Sequence, residues 1–329
     1  DPFDVIKKYG TDSLRFALAT GGTPGLDINF SFNKVENAHN FLNKIWNASR
    51  YILSMLPEDF IPEELKKEDL SYLDEWILKE CDNLLDAVRT NMDKYELGQA
   101  ADYLYSFVYD EFCSEYLEYT KVALQGEDEK VKKVTLQVLY SILKKILVVL
   151  FPFAPFISEE IYSYLPKHKN SVYEEEYPLD YGFEYDEKDI DVALSLRRAI
   201  KEIRNHKSQL SLAPNAPIEL VFFGEKKAYD MAFPYLKRFS FASSITLSDV
   251  KRDDYIYFPS FALALIDKED SDTSERINKR IEFLKNEIAR SEKMLSNQNF
   301  ISKAKPEKVA AEKEKYQKYL DELNNYLKK

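Results

Sequence analysis

Three asparagines and an arginine, Asn40, Asn43, Asn47 and Arg50, recur at spacings of three and four residues. That spacing lines one face of an α-helix, so the four side chains form a polar row. Asparagine is a poor helix former, and three of them in line cost a helix roughly 1 kcal/mol in all. A solvent face built for stability uses Glu, Lys or Gln instead. Carboxamides and a guanidinium in a row match base edges and phosphates; the plainer alternative is that they bond neighbouring helix ends and loops. A second group, Lys293, Phe300, Ile301, Lys303 and Lys305, sets apolar side chains among cations. That mixture suits stacking against nucleic acid, or docking on another protein. A third, basic stretch, Arg197, Arg198, Lys201, Arg204, His206 and Lys207, lies on or just after one helix and reads as a solvated face ahead of the alternative, a phosphate site.

Bond-making chemistry is not indicated. His39, His168 and His206 are the only histidines, and with eight glycines and no Gly-rich phosphate loop there is neither a nucleophile with its base nor a nucleotide cradle. Cys81 and Cys113 stand alone, which argues against a disulfide framework or a structural zinc site and fits a reducing, cytoplasmic setting. The longest apolar stretch, residues 146–157, is interrupted by Pro152 and Pro155 and is too short to span a bilayer. The opening Asp1-Pro2-Phe3-Asp4 has no basic, apolar leader, so no secretory signal is expected and the sequence reads as part of something longer.

At 329 residues, 45% hydrophobic and 14% aromatic, the chain can form two or three globular units. Asn33 is the expected cap of a helix whose buried stripe is Val35, Ala38, Leu42, Ile45, Ser49, Ile52 and Leu56. Further helices are predicted at 70–88, 95–123 and 131–150, and a short one from Ser158. Both cysteines fall in these patterns as core residues, and the tyrosines of the third helix read as amphipathic packing. Long helices with short connections make a bundle. After a linker at about 170–188 the pattern changes to a helix at 190–207, a strand at 218–223, a helix at 226–238 and strands at 245–247, 255–258 and 261–266, a small α+β module.

Residues 270–329 carry two heptad seams. Ile277, Ile281, Leu284, Ile288, Ser291 and Leu295 form the first; Val309, Lys313, Tyr316, Leu320, Leu323 and Leu327 form the second. Folded at 299–305, they zip into an antiparallel coiled coil with Ser291 opposite Lys313 as the one polar layer that fixes register. Asp272 and Pro306 suit the openings of the two helices. Lys and Arg outnumber Asp and Glu here by 14 to 11, whereas the whole chain carries −11. An acidic body with a mildly basic arm is compatible with a polyanion held at the arm, or with an ordinary solvated coiled-coil surface.

The opening Asp1-Pro-Phe-Asp-Val-Ile-Lys-Lys-Tyr-Gly-Thr-Asp-Ser-Leu-Arg-Phe, Thr23-Pro-Gly-Leu-Asp-Ile-Asn-Phe-Ser and Asn40-Phe-Leu-Asn-Lys-Ile-Trp-Asn-Ala-Ser-Arg-Tyr closely resemble the valyl-tRNA synthetase family. The resemblance continues through Glu111-Phe-Cys113, the Pro-Phe-Ala-Pro-Phe-Ile-Ser-Glu-Glu-Ile run, Ile203-Arg-Asn205, Leu265-Ile-Asp267 and Lys303 to Pro306. Leu26, Glu115 and His39 depart from the family's usual residues.

The resemblance implies a mainly α architecture: a stem-contact junction at 1–32, a class I anticodon-binding helix bundle at 33–188, a small α+β module at 189–269 and a coiled-coil arm at 270–329. It implies a parent enzyme that joins L-valine to tRNA(Val) with ATP and magnesium, and edits mischarged tRNA, through domains absent from this chain. This part by itself is expected to be inactive, without cofactor or metal, monomeric, and to bind neither DNA nor membrane. Asn43, Lys44, Trp46, Asn47 and Arg50 are then expected to border the anticodon surface, with Trp46 adjoining the buried stripe. Arg276, Arg280, Arg290, Lys293, Phe300, Lys303 and Lys305 are expected to meet the outer corner of the tRNA. The rival class is a non-catalytic coiled-coil interaction or chaperone-like protein.

Overall fold

The computed structural model describes residues 1–20, 30–266, 271–296 and 306–327. It forms two compact units, Asp1–Arg197 with Asp230–Tyr235, and Arg198–Tyr229 with Leu236–Lys329.

The first unit is helical. α1 (Pro2–Tyr9) and α2 (Thr11–Ala19) pack on α3 (Phe32–Met55), followed by α4 (Tyr72–Asp93), α5 (Leu97–Ser106), a π-helical stretch (Phe107–Tyr116), α6 (Leu117–Leu124), α7 (Glu129–Leu150) and α8 (Pro155–Tyr162). The predicted stripe of α3 is buried from Val35 to Ile52 and is widened by Phe41 and Ala48. Its cap position is Ser31 rather than Asn33, so the helix begins sooner than expected and Leu56 falls just past its end.

Two buried carboxylates tie distant segments together. α8 begins at Pro155, not Ser158, because the ring presets the first helical φ and supplies no amide that would need a partner. Ala154 at its cap has no side-chain acceptor. Asp12 of α2 takes that role, accepting the amides of Ile157 (2.7 Å) and Phe156 (3.4 Å). Burial raises the pKa of Asp12 even though both amides pull it down. Asp74 completes a capping box with Ser71 at the start of α4 and also accepts the hydroxyl of buried Tyr116. Burial likewise raises its pKa.

The third predicted helix is interrupted. Along Phe107–Tyr116 the hydrogen bonding widens, and the Ser114 hydroxyl reaches back five residues to the Tyr109 carbonyl at 2.7 Å. Here Glu115 pairs with Arg197, whose guanidinium also lies 3.9 Å from Glu111 and 4.4 Å over the Trp76 ring centroid. Arg197 is therefore not part of a solvated face, contrary to the sequence expectation; the partner carboxylates are far away in sequence. His39, another family departure, shares a 3.0 Å hydrogen bond with the Tyr9 carbonyl at the end of α1.

α9 (Glu187–Gln209) contains the division between the units. The second unit holds β1 (Ile218–Gly224), α10 (Lys226–Ser240), β2 (Ala242–Ser248), β3 (Ile256–Tyr257) and β4 (Phe261–Ile266) in one sheet of order β2-β1-β4-β3. β1 and β2 run parallel across the α10 crossover, and the other pairs are antiparallel. Ile218, Leu220 and Phe222 alternate into the core. Lys207, another member of the basic stretch, is buried: its ammonium donates to the carbonyls of Ser240 (2.6 Å), Ala216 and Pro214 (3.3 Å), joining the end of α10 to the loop before β1.

α11 (Ser271–Leu295) and α12 (Pro306–Leu327) pack on each other. As the residue number rises in α11 it falls in the partner: Phe283 meets Tyr319, Glu287 pairs with Lys315 at 2.8 Å and Ser291 donates to Glu312 at 2.7 Å. This is the expected antiparallel pairing, with Leu284, Ile288 and Ser291 buried. The partner of Ser291 is Glu312 rather than Lys313, which is exposed. A short hydroxyl in a seam can satisfy itself on a neighbouring carboxylate, while a lysine stem carries its ammonium out to water. Pro306 opens α12 as expected; α11 starts at Ser271, which puts Asp272 inside its first turn. The predicted turn at 299–305 lies outside the described residues.

Candidate nucleic-acid interface

α3 presents Asn40, Asn43, Asn47 and Arg50 to solvent in one row. Among the described residues none of the four side chains makes a hydrogen bond or ion pair with the protein. The plainer reading, in which they bond neighbouring helix ends, is thus not what the structure contains. Free carboxamides and a guanidinium remain as donors and acceptors for something else. Since successive residues turn by about 100°, Lys44 lies on one margin of the row and Trp46 on the other.

The Lys44 margin is an aromatic ladder. Phe16, Phe41, Tyr105 and Tyr109 follow one another at centroid distances of 4.8, 4.9 and 5.2 Å, and the last two rings are parallel to within 6°. Tyr105 and Tyr109 are half-buried, so each leaves part of its ring at the surface. The Lys44 ammonium lies 3.3 Å from the Tyr109 centroid and donates to the Tyr109 carbonyl (2.8 Å) and the Ser114 hydroxyl. Burial is the main reason its pKa is lowered, against the pull of Cys113 and Asp110. The Lys44 charge is spent on the π-helical stretch, and what it does is hold the tyrosines beside α3.

The Trp46 margin is concave. Trp46 and Arg50 line a cavity of about 660 Å³ with Leu53, Leu56, Pro57, Glu58, Tyr164 and Pro166. Trp46 is half-buried and Tyr164 is 58% exposed, which gives the cavity aromatic surface beneath an exposed cation. The size is within the roughly 300–1,000 Å³ of small-ligand pockets. The cavity combines an aromatic face with polar groups at its edge, the two features by which unstacked bases are held in general.

The sequence marks the row on α3 with Lys44 and Trp46 at its borders, but not the Tyr105–Tyr109 stack and the cavity beside them. The tyrosines read as packing because amphipathic helices bury such residues routinely. The signal that could have separated Tyr105 and Tyr109 is their i, i+4 spacing just where the third helix changes its hydrogen bonding, and that change is not visible in residue types. Other expected residues are only partly described. Arg290 is exposed and pairs with Glu287 at 3.3 Å, while Lys293 is exposed with no partner among the described residues. Arg276 and Arg280 lie on α11, and their side chains are outside the described set. Phe300, Lys303 and Lys305 are outside the described residues altogether. Lys315, foremost, and Arg290 hold the pKa of Glu287 below the usual glutamate value. The described cations of the arm are thus partly neutralised by the arm itself. Among the described residues no three His, Cys, Asp or Glu side chains gather as metal ligands, and no helix is long and apolar enough to cross a membrane.

Residues 74–222 match the anticodon-binding domain of tRNA ligases, and residues 270–328 match the valyl-tRNA synthetase tRNA-binding arm. The ladder tyrosines and Tyr164 lie within the first match; α3 precedes it. Over 97% of its length the chain is 36% identical to a valine–tRNA ligase of Clostridium acetobutylicum, and over 98% it is 41% identical to that of Mesoplasma florum. It spans 38% of the length of either relative. With a helical bundle, a small mixed sheet and an antiparallel hairpin in this order, and similarity along the whole sequence, the chain belongs to the valyl-tRNA synthetase family, as the C-terminal portion bearing the anticodon-binding domain and the tRNA-binding arm.

Proposed function

We propose that this chain is the tRNA-holding part of an enzyme that joins L-valine to tRNA(Val). In this reading the α3 row, with Asn43, Asn47 and Arg50 at its centre, meets the anticodon loop. Trp46 and its cavity receive an unstacked base, and Lys44 fixes the tyrosine ladder alongside. The arm, through Arg276, Arg280, Arg290, Lys293, Phe300, Lys303 and Lys305, contacts the tRNA's outer corner. Residues 1–32 form the junction to the catalytic part, 33–188 the anticodon-binding bundle, 189–269 a connecting module and 270–329 the arm. ATP and magnesium act in the catalytic part, outside this chain, and the working form is a cytoplasmic monomer.

The observation that carries the reading is the row of carboxamides and guanidinium left without partners among the described residues, between two aromatic margins. A scaffold gains nothing from such a row, whereas single-stranded RNA loops are recognised by stacking plus edge hydrogen bonds. The test is a titration of the chain with valine-accepting tRNA and a mismatched tRNA at two salt concentrations. Tighter binding of the valine tRNA at both salts is expected. Equal, weak binding of both would favour a docking or chaperone-like protein instead.

A further inference from the structure

The basic stretch of α9 divides into spent and unspent charge. Arg197 is paired with Glu115 and Glu111, and Lys207 is buried among carbonyls. Between them Arg198, Lys201 and Arg204 are exposed and, among the described residues, have no carboxylate, carbonyl or ring partner. Glu202, four residues after Arg198, is exposed and forms no ion pair with any of them. Ile200 and Ile203 are buried on the opposite side, so the helix presents this face from a fixed footing.

The usual reasons for cations on a helix do not account for these three. Favourable interaction with the helix dipole is confined to the last turn, and α9 continues to Gln209, beyond Arg204. Ion pairing with the acidic surface is available in a chain of net charge −11, and the neighbouring Arg197 uses it. Arg198, Lys201 and Arg204 rise about 9 Å along the helix, at about 1.5 Å per residue. That suits a strand of closely spaced phosphates better than a single small anion, and Asn205, exposed on the same face, adds a neutral donor.

We propose that the exposed α9 face of Arg198, Lys201 and Arg204 is a phosphate-binding strip for an RNA backbone, additional to α3 and the arm. It rests on the reading of the chain as an RNA-holding protein. Its contacts are to backbone, so it adds affinity without choosing the sequence.

The test uses the full chain with Arg198→Gln, Lys201→Gln and Arg204→Gln combined, titrated with valine-accepting and mismatched tRNA across a salt series. The slope of log affinity against log salt is expected to fall by about 2, with affinity about tenfold lower near 0.1 M salt. The ratio between the two tRNAs should be unchanged. A second variant, Arg198→Lys with Arg204→Lys, should keep the wild-type slope, because it keeps the charge. A wild-type slope in the triple glutamine variant would overturn the strip alone. If the wild-type chain bound no RNA at any salt, the reading of the whole molecule would fall with it.

Discussion

α3 and the hairpin arm are both long helical surfaces rich in polar residues, yet they treat those residues in opposite ways. On α3 the polar row is uncharged except for Arg50, has no partners among the described residues, and is bordered by rings. On the arm several described charged groups are engaged within the hairpin: Lys315 and Arg290 with Glu287, Glu312 with the Ser291 hydroxyl, Glu292 with the Tyr316 hydroxyl. The first arrangement can discriminate, because free carboxamides have directional demands that only some bases meet. The second mainly sets a field, weakened by its own carboxylates and by salt. Affinity and selectivity are therefore expected to separate along the chain.

The largest effect that would break this separation concerns the arm. Arg290→Glu with Lys293→Glu is expected to weaken tRNA binding about tenfold near 0.1 M salt and to lower the salt slope by about 2. Selectivity between tRNAs should stay within about twofold, as phosphate contacts carry no base information. A titration across salt reads all three quantities. Loss of selectivity in this variant would give the arm the role assigned to α3.

A smaller effect sharpens the contrast in electrostatics. Burial, helped by Glu80, Glu115 and Asp110 and opposed by Arg197, raises the pKa of Glu111 in the bundle to about 7, whereas the arm's Glu287 is shifted down by Lys315. A folded pKa above the unfolded one means that the folded state holds the proton more tightly. The bundle therefore loses stability as pH rises from about 4.5 to about 7 through this group. Glu111→Gln should remove that loss, stabilising the chain at pH 8 by about 1 kcal/mol once solvent screening is allowed for, and changing little at pH 4. Urea midpoints at the two pH values check it; parallel pH profiles for variant and wild type would refute the assignment.

What the sequence disclosed and what it hid follow a physical division. Periodic burial is local, so the stripe of α3, the strand Ile218–Gly224 and the antiparallel pairing of the arm were legible. The polar row of α3 was legible for the same reason, since asparagine in a helix contradicts propensity. Roles assigned by distant partners were not. Nothing near Ala154 says that Asp12 caps its helix, nothing near Lys44 that Tyr109 and Ser114 take its ammonium, and nothing near Arg197 that Glu115 waits across the bundle. The division runs through the candidate site itself: the row was readable, and its aromatic margins required the fold.

Asn47 and Arg50 are proposed to read the anticodon loop, and a double-mutant cycle between protein and tRNA probes that role. Wild type and the Asn47→Ala, Arg50→Ala variant would each be titrated with valine-accepting tRNA and with the same tRNA carrying a substituted anticodon. Coupling of about 2 kcal/mol is expected, with most of the anticodon preference lost in the variant and its unfolding midpoint unchanged. An anticodon penalty equal in wild type and variant would contradict it.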